Sequence, residues 1–189
     1  LAGHLSLIPS SISLMKLPIH LFAIFSFFVS LASADESEFR TATIDLGIVV
    51  SDLDKSMKFY TEAIGFNSTG EFTAAKDVTR DSGLSAGEEI VIKKLSLGKG
   101  NGATTIKLMQ SAMDKSKMSD QTYITSSLGF SYLTIHVNST KTALKRLKNA
   151  GVKVLAKGPA IIPGGKVALT VVKDPDGNFV ELVGPADHQ

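Results

Sequence analysis

The sequence predicts an α+β fold made of two βαβββ modules that share a central cleft. Three observations predict it. Residues 44–66 and 132–152 follow one plan: an apolar strand, a polar cap residue, an amphipathic helix and a glycine. Each of these units then runs into further β-type sequence. Near the end, Asp174-Pro175-Asp176-Gly177 is a tight turn feeding a short strand. Proline presets φ there, Asp side chains bond their own backbone and Gly177 can take φ > 0.

The first 34 of the 189 residues read as a leader. They hold no Asp or Glu and one basic residue, Lys16. From Leu17 the stretch is almost wholly apolar or small, with Phe22, Phe25, Phe27 and Phe28 at its centre, and it closes on Ala32-Ser33-Ala34. A basic start, an apolar middle and a small-x-small end make a secretory signal peptide, with cleavage expected near Ala34. Met15-Lys16 is a natural start, so residues 1–14 read as an upstream extension. The stretch is marginal for spanning a bilayer, so no stable membrane association is expected after processing. A secreted or periplasmic location follows.

Beyond the leader, the rest of the chain carries all 18 acidic residues and all but one of the 20 basic ones, so it is close to neutral. No basic stripe with interleaved aromatics appears, so a nucleic-acid partner is not expected. The chain has no cysteine, so its stability in an oxidising compartment rests on packing.

The domain is expected over residues 42–185, with modules at about 42–110 and 129–185 and a polar linker at about 111–128. In the first module, residues 44–50 form a strand. Leu53, Met57, Tyr60 and Ile64 mark the inner face of a helix that ends at Gly65. Strands are expected at residues 70–74, 89–97 and 103–110, the last two joined by a glycine-rich hairpin at Gly98, Gly100 and Gly102. That hairpin lacks the strand-to-helix context of a phosphate loop. In the second module, residues 132–137 form a strand. Ala143, Leu144, Leu147 and Ala150 mark a helix that ends at Gly151. Strands follow at 152–157, 166–173 and 179–183. Asn67-Ser68-Thr69 and Asn138-Ser139-Thr140 match the glycosylation sequon, which matters only in a eukaryotic secretory route.

The run at residues 49–60 (Val-Val-Ser-Asp-Leu-Asp-Lys-Ser-x-x-Phe-Tyr), the Gly65-Phe66 step and the turn and strand at 174–182 resemble the vicinal-oxygen-chelate superfamily. Glyoxalase I, extradiol dioxygenases and bleomycin-resistance proteins belong to that group. The resemblance implies a cleft with a metal held by four positions, from the first and last strand of each module. Matched motif to motif, these positions fall on Asp45, Lys107, Tyr132 and Glu181. Such relatives are frequently dimers, so a homodimer stays open, with modules pairing within one chain or swapping between two.

The residues themselves argue against the usual metal. Of four histidines only His136 lies in the domain body, so any metal site would be carboxylate-rich with at most one imidazole, and Glu181 and Asp45 would be its ligands. An ammonium at Lys107 is repelled by a divalent cation and offers no lone pair. No cofactor is therefore expected. Strand alternation turns Asp45, Lys107, Tyr132, His136 and Glu181 toward the cleft, and Leu46, Ile48, Leu133, Ile135, Val180 and Leu182 toward the helices. Lys107 between Asp45 and Glu181 would form a Lys–carboxylate cluster where relatives hold a metal.

Two function classes follow. The first is a protein that binds a small polar molecule through Asp45, Lys107, Tyr132 and His136. The alternative is a metal-dependent glyoxalase-like lyase, isomerase or dioxygenase, with Glu181 and His136 as catalytic groups.

Overall fold

The computed structural model describes residues 39–111 and 116–187; the leader and its cleavage site lie outside them. These residues form one compact unit containing two four-stranded sheets. The first module contains β1 (Asp45–Val49), α1 (Leu53–Lys58), β2 (Asn67–Ala74), α2 (Lys76–Asp81), β3 (Ile90–Ser96) and β4 (Thr105–Ser111). The second contains β5 (Tyr132–His136), α3 (Thr140–Asn149), β6 (Ala160–Ile161), β7 (Val167–Lys173) and β8 (Phe179–Pro185). The strand orders are β1-β4-β3-β2 and β5-β8-β7-β6. Each sheet pairs its first and last strands in parallel, β1 with β4 and β5 with β8. The two sheets thus share one strand-order plan.

Local chemistry explains where the helices start and stop. Asp52 caps α1 by accepting from the Lys55 N–H at 3.0 Å, and Ser139 caps α3 by accepting from the Thr142 N–H at 3.2 Å. The first helix widens into a π-helical stretch over Phe59–Ile64 and stops at Gly65, whose φ of +99° suits a residue without Cβ. Gly151 ends the second helix with φ +69°.

Two expectations change. Residues 152–157 are not a strand. Ala156 takes φ +49°, which breaks the extension, and only Leu155 reaches β7, through its N–H to Val171 O at 2.9 Å. The short β6 takes that place further along. The helix α2 was not expected, because its sequence is mostly polar. It is held by Thr79, fully buried, whose hydroxyl donates to Glu88 O at 2.6 Å.

Both modules contribute to one core. Tyr60, Ile64, Leu95, Ile106 and Leu108 from the first pack with Ile135, Leu147, Val180 and Leu182 from the second. The modules therefore pair within the chain. Fully burying one such side chain contributes about 1.5–3 kcal/mol. Three polar ties reinforce the junction. Arg146 Nε donates to Ala63 O at 2.8 Å, the Tyr60 hydroxyl donates to Asp174 at 2.9 Å, and the Ser51 N–H donates to the Asp176 carboxylate at 3.2 Å. Leu46, Ile48, Leu133, Ile135, Val180 and Leu182 belong to the core or pack against it, as alternation requires. This leaves an open face on each sheet, away from the helices. Among the described residues, no helix is long and apolar enough to cross a membrane.

Candidate functional site

The open face of the first sheet carries an ion pair. Asp45 starts β1 and Lys107 lies in the middle of β4, two residues along from the residue paired with Asp45, so both side chains emerge on one face. Lys107 Nζ sits 2.8 Å from Asp45 Oδ2. The pair is half in water, with side-chain exposures of 33% for Lys107 and 48% for Asp45. Lys94 stands directly across from Lys107 on β3. The patch therefore holds two ammonium groups and one carboxylate, an excess of positive charge. The Lys107 hydrogen bond is the main cause holding the Asp45 carboxyl below its usual value, and the charges of Lys107 and Lys94 add to it.

That shift has a checkable sign. A carboxyl whose folded pKa is depressed contributes stability above its unfolded value and loses it as pH falls through the folded one. Carboxyl-detected NMR titration is expected to place Asp45 below the ordinary Asp value of about 3.9. The Lys107→Met variant should bring it back toward that value, and an unmoved midpoint would mean the pair does not form in solution.

Glu181 does not join this pair. Its position on β8 is directly across from Thr134 on β5, and the Thr134 hydroxyl donates to Glu181 Oε2 at 2.8 Å. The expected three-membered cluster is thus split into an Asp45–Lys107 ion pair and a separate Glu181–Thr134 hydrogen bond. The reason lies in register: each carboxylate takes the nearest polar group on the adjacent strand of its own sheet. His136, at the end of β5, is exposed. It lines a shallow groove with Gly65, Ser139 and Arg146, and no hydrogen bond joins it to Glu181. Tyr132 is half exposed at the start of β5.

A separate cavity of about 220 Å³ lies at the seam between the modules, along β1 and β5. Its walls include Gly47, Val49, Phe130, Tyr132, Asn178 and Phe179, with Tyr60 on the helix side. Of the candidate residues read from sequence, only Tyr132 reaches it. Phe130 and Asn178 were not anticipated; nothing in either module's own pattern marks them, because the seam exists only once the two sheets are packed together.

A model of the glyoxalase, bleomycin-resistance protein and dioxygenase superfamily matches residues 43–182. The chain belongs to that superfamily. Solved structures of its members share the fold. A glyoxalase family protein from Bacillus cereus is 19% identical with a TM-score of 0.62, over 79% of this chain and 97% of that one. A trypanothione-dependent glyoxalase I from Leishmania major is 24% identical with a TM-score of 0.52, over 75% of this chain and 85% of that one. A glyoxalase I mutant from Zea mays is 21% identical with a TM-score of 0.55, over 76% of this chain but only 47% of that one. At these identities the likeness establishes the fold alone. No curated protein matches the chain.

The four positions that the sequence resemblance matches to metal ligands can be tested against the side chains present. An ammonium occupies one, at Lys107, and already binds the carboxylate at another, Asp45. A half-exposed phenol occupies the third, Tyr132, and the fourth, Glu181, is engaged with Thr134. Among the described residues, no three His, Cys, Asp or Glu side chains gather as a metal would require. This donor set does not fit a divalent cation.

Proposed function

We propose that this superfamily member is a binding protein that holds a small polar, anionic molecule on the open face of its first sheet, without a resident metal. The leader read from the sequence supports a site of action outside the cytosol. The observation that carries the reading is the Asp45–Lys107 ion pair, 2.8 Å long, at two of the positions that the sequence resemblance matches to metal ligands. Lys94 beside it leaves one ammonium in excess. A ligand carboxylate or phosphate would find two lysines on one face.

The same observation argues against turnover. Superfamily enzymes that polarise a substrate through a metal need an open coordination position, and here the local charge is an ammonium. The test is elemental analysis of the purified full chain, joined to a turnover assay with the methylglyoxal–glutathione adduct with and without added zinc or nickel. No stoichiometric metal is expected, a chelator should leave the melting temperature unchanged, and added metal should give no turnover. One tightly bound metal per chain, or metal-dependent turnover, would sink the proposal. Replacing Lys107 with Met should weaken anion binding by about tenfold, the scale of one charge-assisted hydrogen bond.

A further inference from the structure

The seam between the modules is a slot between two strand edges. In the sheet orders, β1 and β5 each stand at an end, so each uses one edge for its neighbour and leaves the other open. The free groups can be assigned. Along an extended strand, the N–H and C=O of one residue point to the same side and those of the next residue to the other. The Val50 N–H reaches Met109 O on β4 at 2.8 Å, so Leu46 and Ile48 face β4, while Gly47 and Val49 face the seam. The Val137 N–H reaches Val183 O on β8 at 2.8 Å, so Leu133 and Ile135 face β8, while Tyr132 faces the seam. Gly47, Val49 and Tyr132 all line the cavity, and each brings a backbone donor and acceptor to it.

The rest of the lining sets the ligand chemistry. Phe130, Tyr132 and Phe179 supply aromatic walls, Phe179 with Lys173 Nζ 4.6 Å from its ring centroid. The Asn178 side-chain amide is already engaged, donating to Asp174 and accepting from Gln121, so the strand edges carry the polar contacts. No ionisable acid or base lines the slot; its tyrosines are Tyr132 and Tyr60, and the Tyr60 hydroxyl is already committed to Asp174. The volume of about 220 Å³ equals about seven waters at 30 Å³ each, room for one substituted ring. At position 47 the place of a Cβ is taken by the Met109 methyl, 2.8 Å away, so glycine there lets Met109 pack against β1. Phe130 is fully exposed, so its ring faces are accessible to a stacking partner.

We infer that this seam is a second binding site, distinct from the charged patch on the open face, and that it takes a neutral, planar, ring-sized molecule with hydrogen-bond donors and acceptors along one edge. The strand edges read the ligand's edge, and the aromatic side chains stack on its plane. Charged ligands are disfavoured because no counter-charge lines the slot, and purely apolar rings leave the backbone groups unpaired.

Amide NMR of the full chain tests this with three probes of one size. Nicotinamide, neutral with an amide edge, is expected to shift the Gly47, Val49 and Tyr132 amides saturably, with a Kd on the order of 1 mM for so small a ligand. Toluene should bind there at least about tenfold more weakly, since it cannot pair the strand edges. Phe130→Ala should weaken nicotinamide by about tenfold through loss of stacking, and the full exposure of Phe130 means the fold is not at risk. The inference is overturned if nicotinamide gives no saturable shift at the seam, if toluene or nicotinate binds there as well as nicotinamide does, or if Phe130→Ala changes nothing. Nicotinate also reports on the charged patch: shifts at Lys94 and Lys107 bear on the proposed function alone, so either reading can fail without the other.

Discussion

Asp174→Ala is expected to cost about 3–5 kcal/mol of folding stability, the scale for removing one partner from a buried, charged hydrogen-bond network. Asp174 is only 5% exposed. Its carboxylate accepts from the Asp176 N–H at 3.0 Å, the Asn178 N–H at 2.8 Å, the Asn178 side-chain amide at 2.9 Å and the Tyr60 hydroxyl at 2.9 Å. The first three bonds shape the turn before β8; the fourth crosses from one module to the other. Tyr60 is fully buried, and burial first, then the Asp174 charge, pushes its pKa far above the ordinary phenol value. Without the carboxylate, its hydroxyl would sit in an apolar core with no acceptor. Tyr60→Phe removes only one donor of four and should cost about 1–2 kcal/mol. At about 2–4 °C per kcal/mol for a chain of this size, Asp174→Ala should lower the melting temperature by roughly 10 °C. A loss under about 1 kcal/mol in chemical denaturation would show that the network is not a major tie. If Asp174→Ala does not fold, Tyr60→Phe and Asp174→Asn still read out the same bonds, and a double-mutant cycle isolates the Tyr60–Asp174 pair.

Gly184→Ala is expected to destabilise by about 2–3 kcal/mol, at the upper end of overpacking. The reason is crowding, since this glycine has no positive φ. A Cβ at position 184 would lie 2.7 Å from Thr140 Oγ1, 2.7 Å from Val137 Cγ2 and 3.0 Å from Val137 O. The last contact is backbone and cannot swing aside. Here β8 runs directly under the start of α3, and Thr140 is almost fully buried. Gly102→Ala is the control, because a Cβ there meets nothing within 4 Å; it should be neutral or stabilising by up to about 1 kcal/mol. Equal midpoints for the two variants in urea would refute the crowding argument.

The sequence carried the plan of the fold well, because strand–cap–helix–glycine units are local signals and appear twice. Misreadings occurred where local pattern and backbone part company. Val152, Lys153 and Val154 alternate like a strand, yet Ala156 at φ +49° ends the extension. Residues 76–81 carry no apolar stripe, yet they form a helix around one buried threonine, Thr79. The Asp45–Lys107 contact was legible because aligning the two modules placed both residues on one face. The Glu181–Thr134 bond follows from cross-strand register, which sets Thr134 directly across from Glu181, and register between parallel strands is not a local sequence signal. The seam could not be read at all. Its walls come from two modules, and the distance between their edges is set by core packing far from either strand.

The shared core has a practical consequence for cutting the chain. Each half builds its own sheet, but neither covers its apolar face alone: Leu95, Ile106 and Leu108 rely on Leu147, Val180 and Leu182 from the other half. The described part of the connection between the halves, residues 116 to 131, has no helix or strand of its own. Separate polypeptides carrying the two halves would therefore seek each other out, and their assembly would depend on concentration. The domain is thus a natural candidate for a split reporter, in which two fragments regain structure only when brought together.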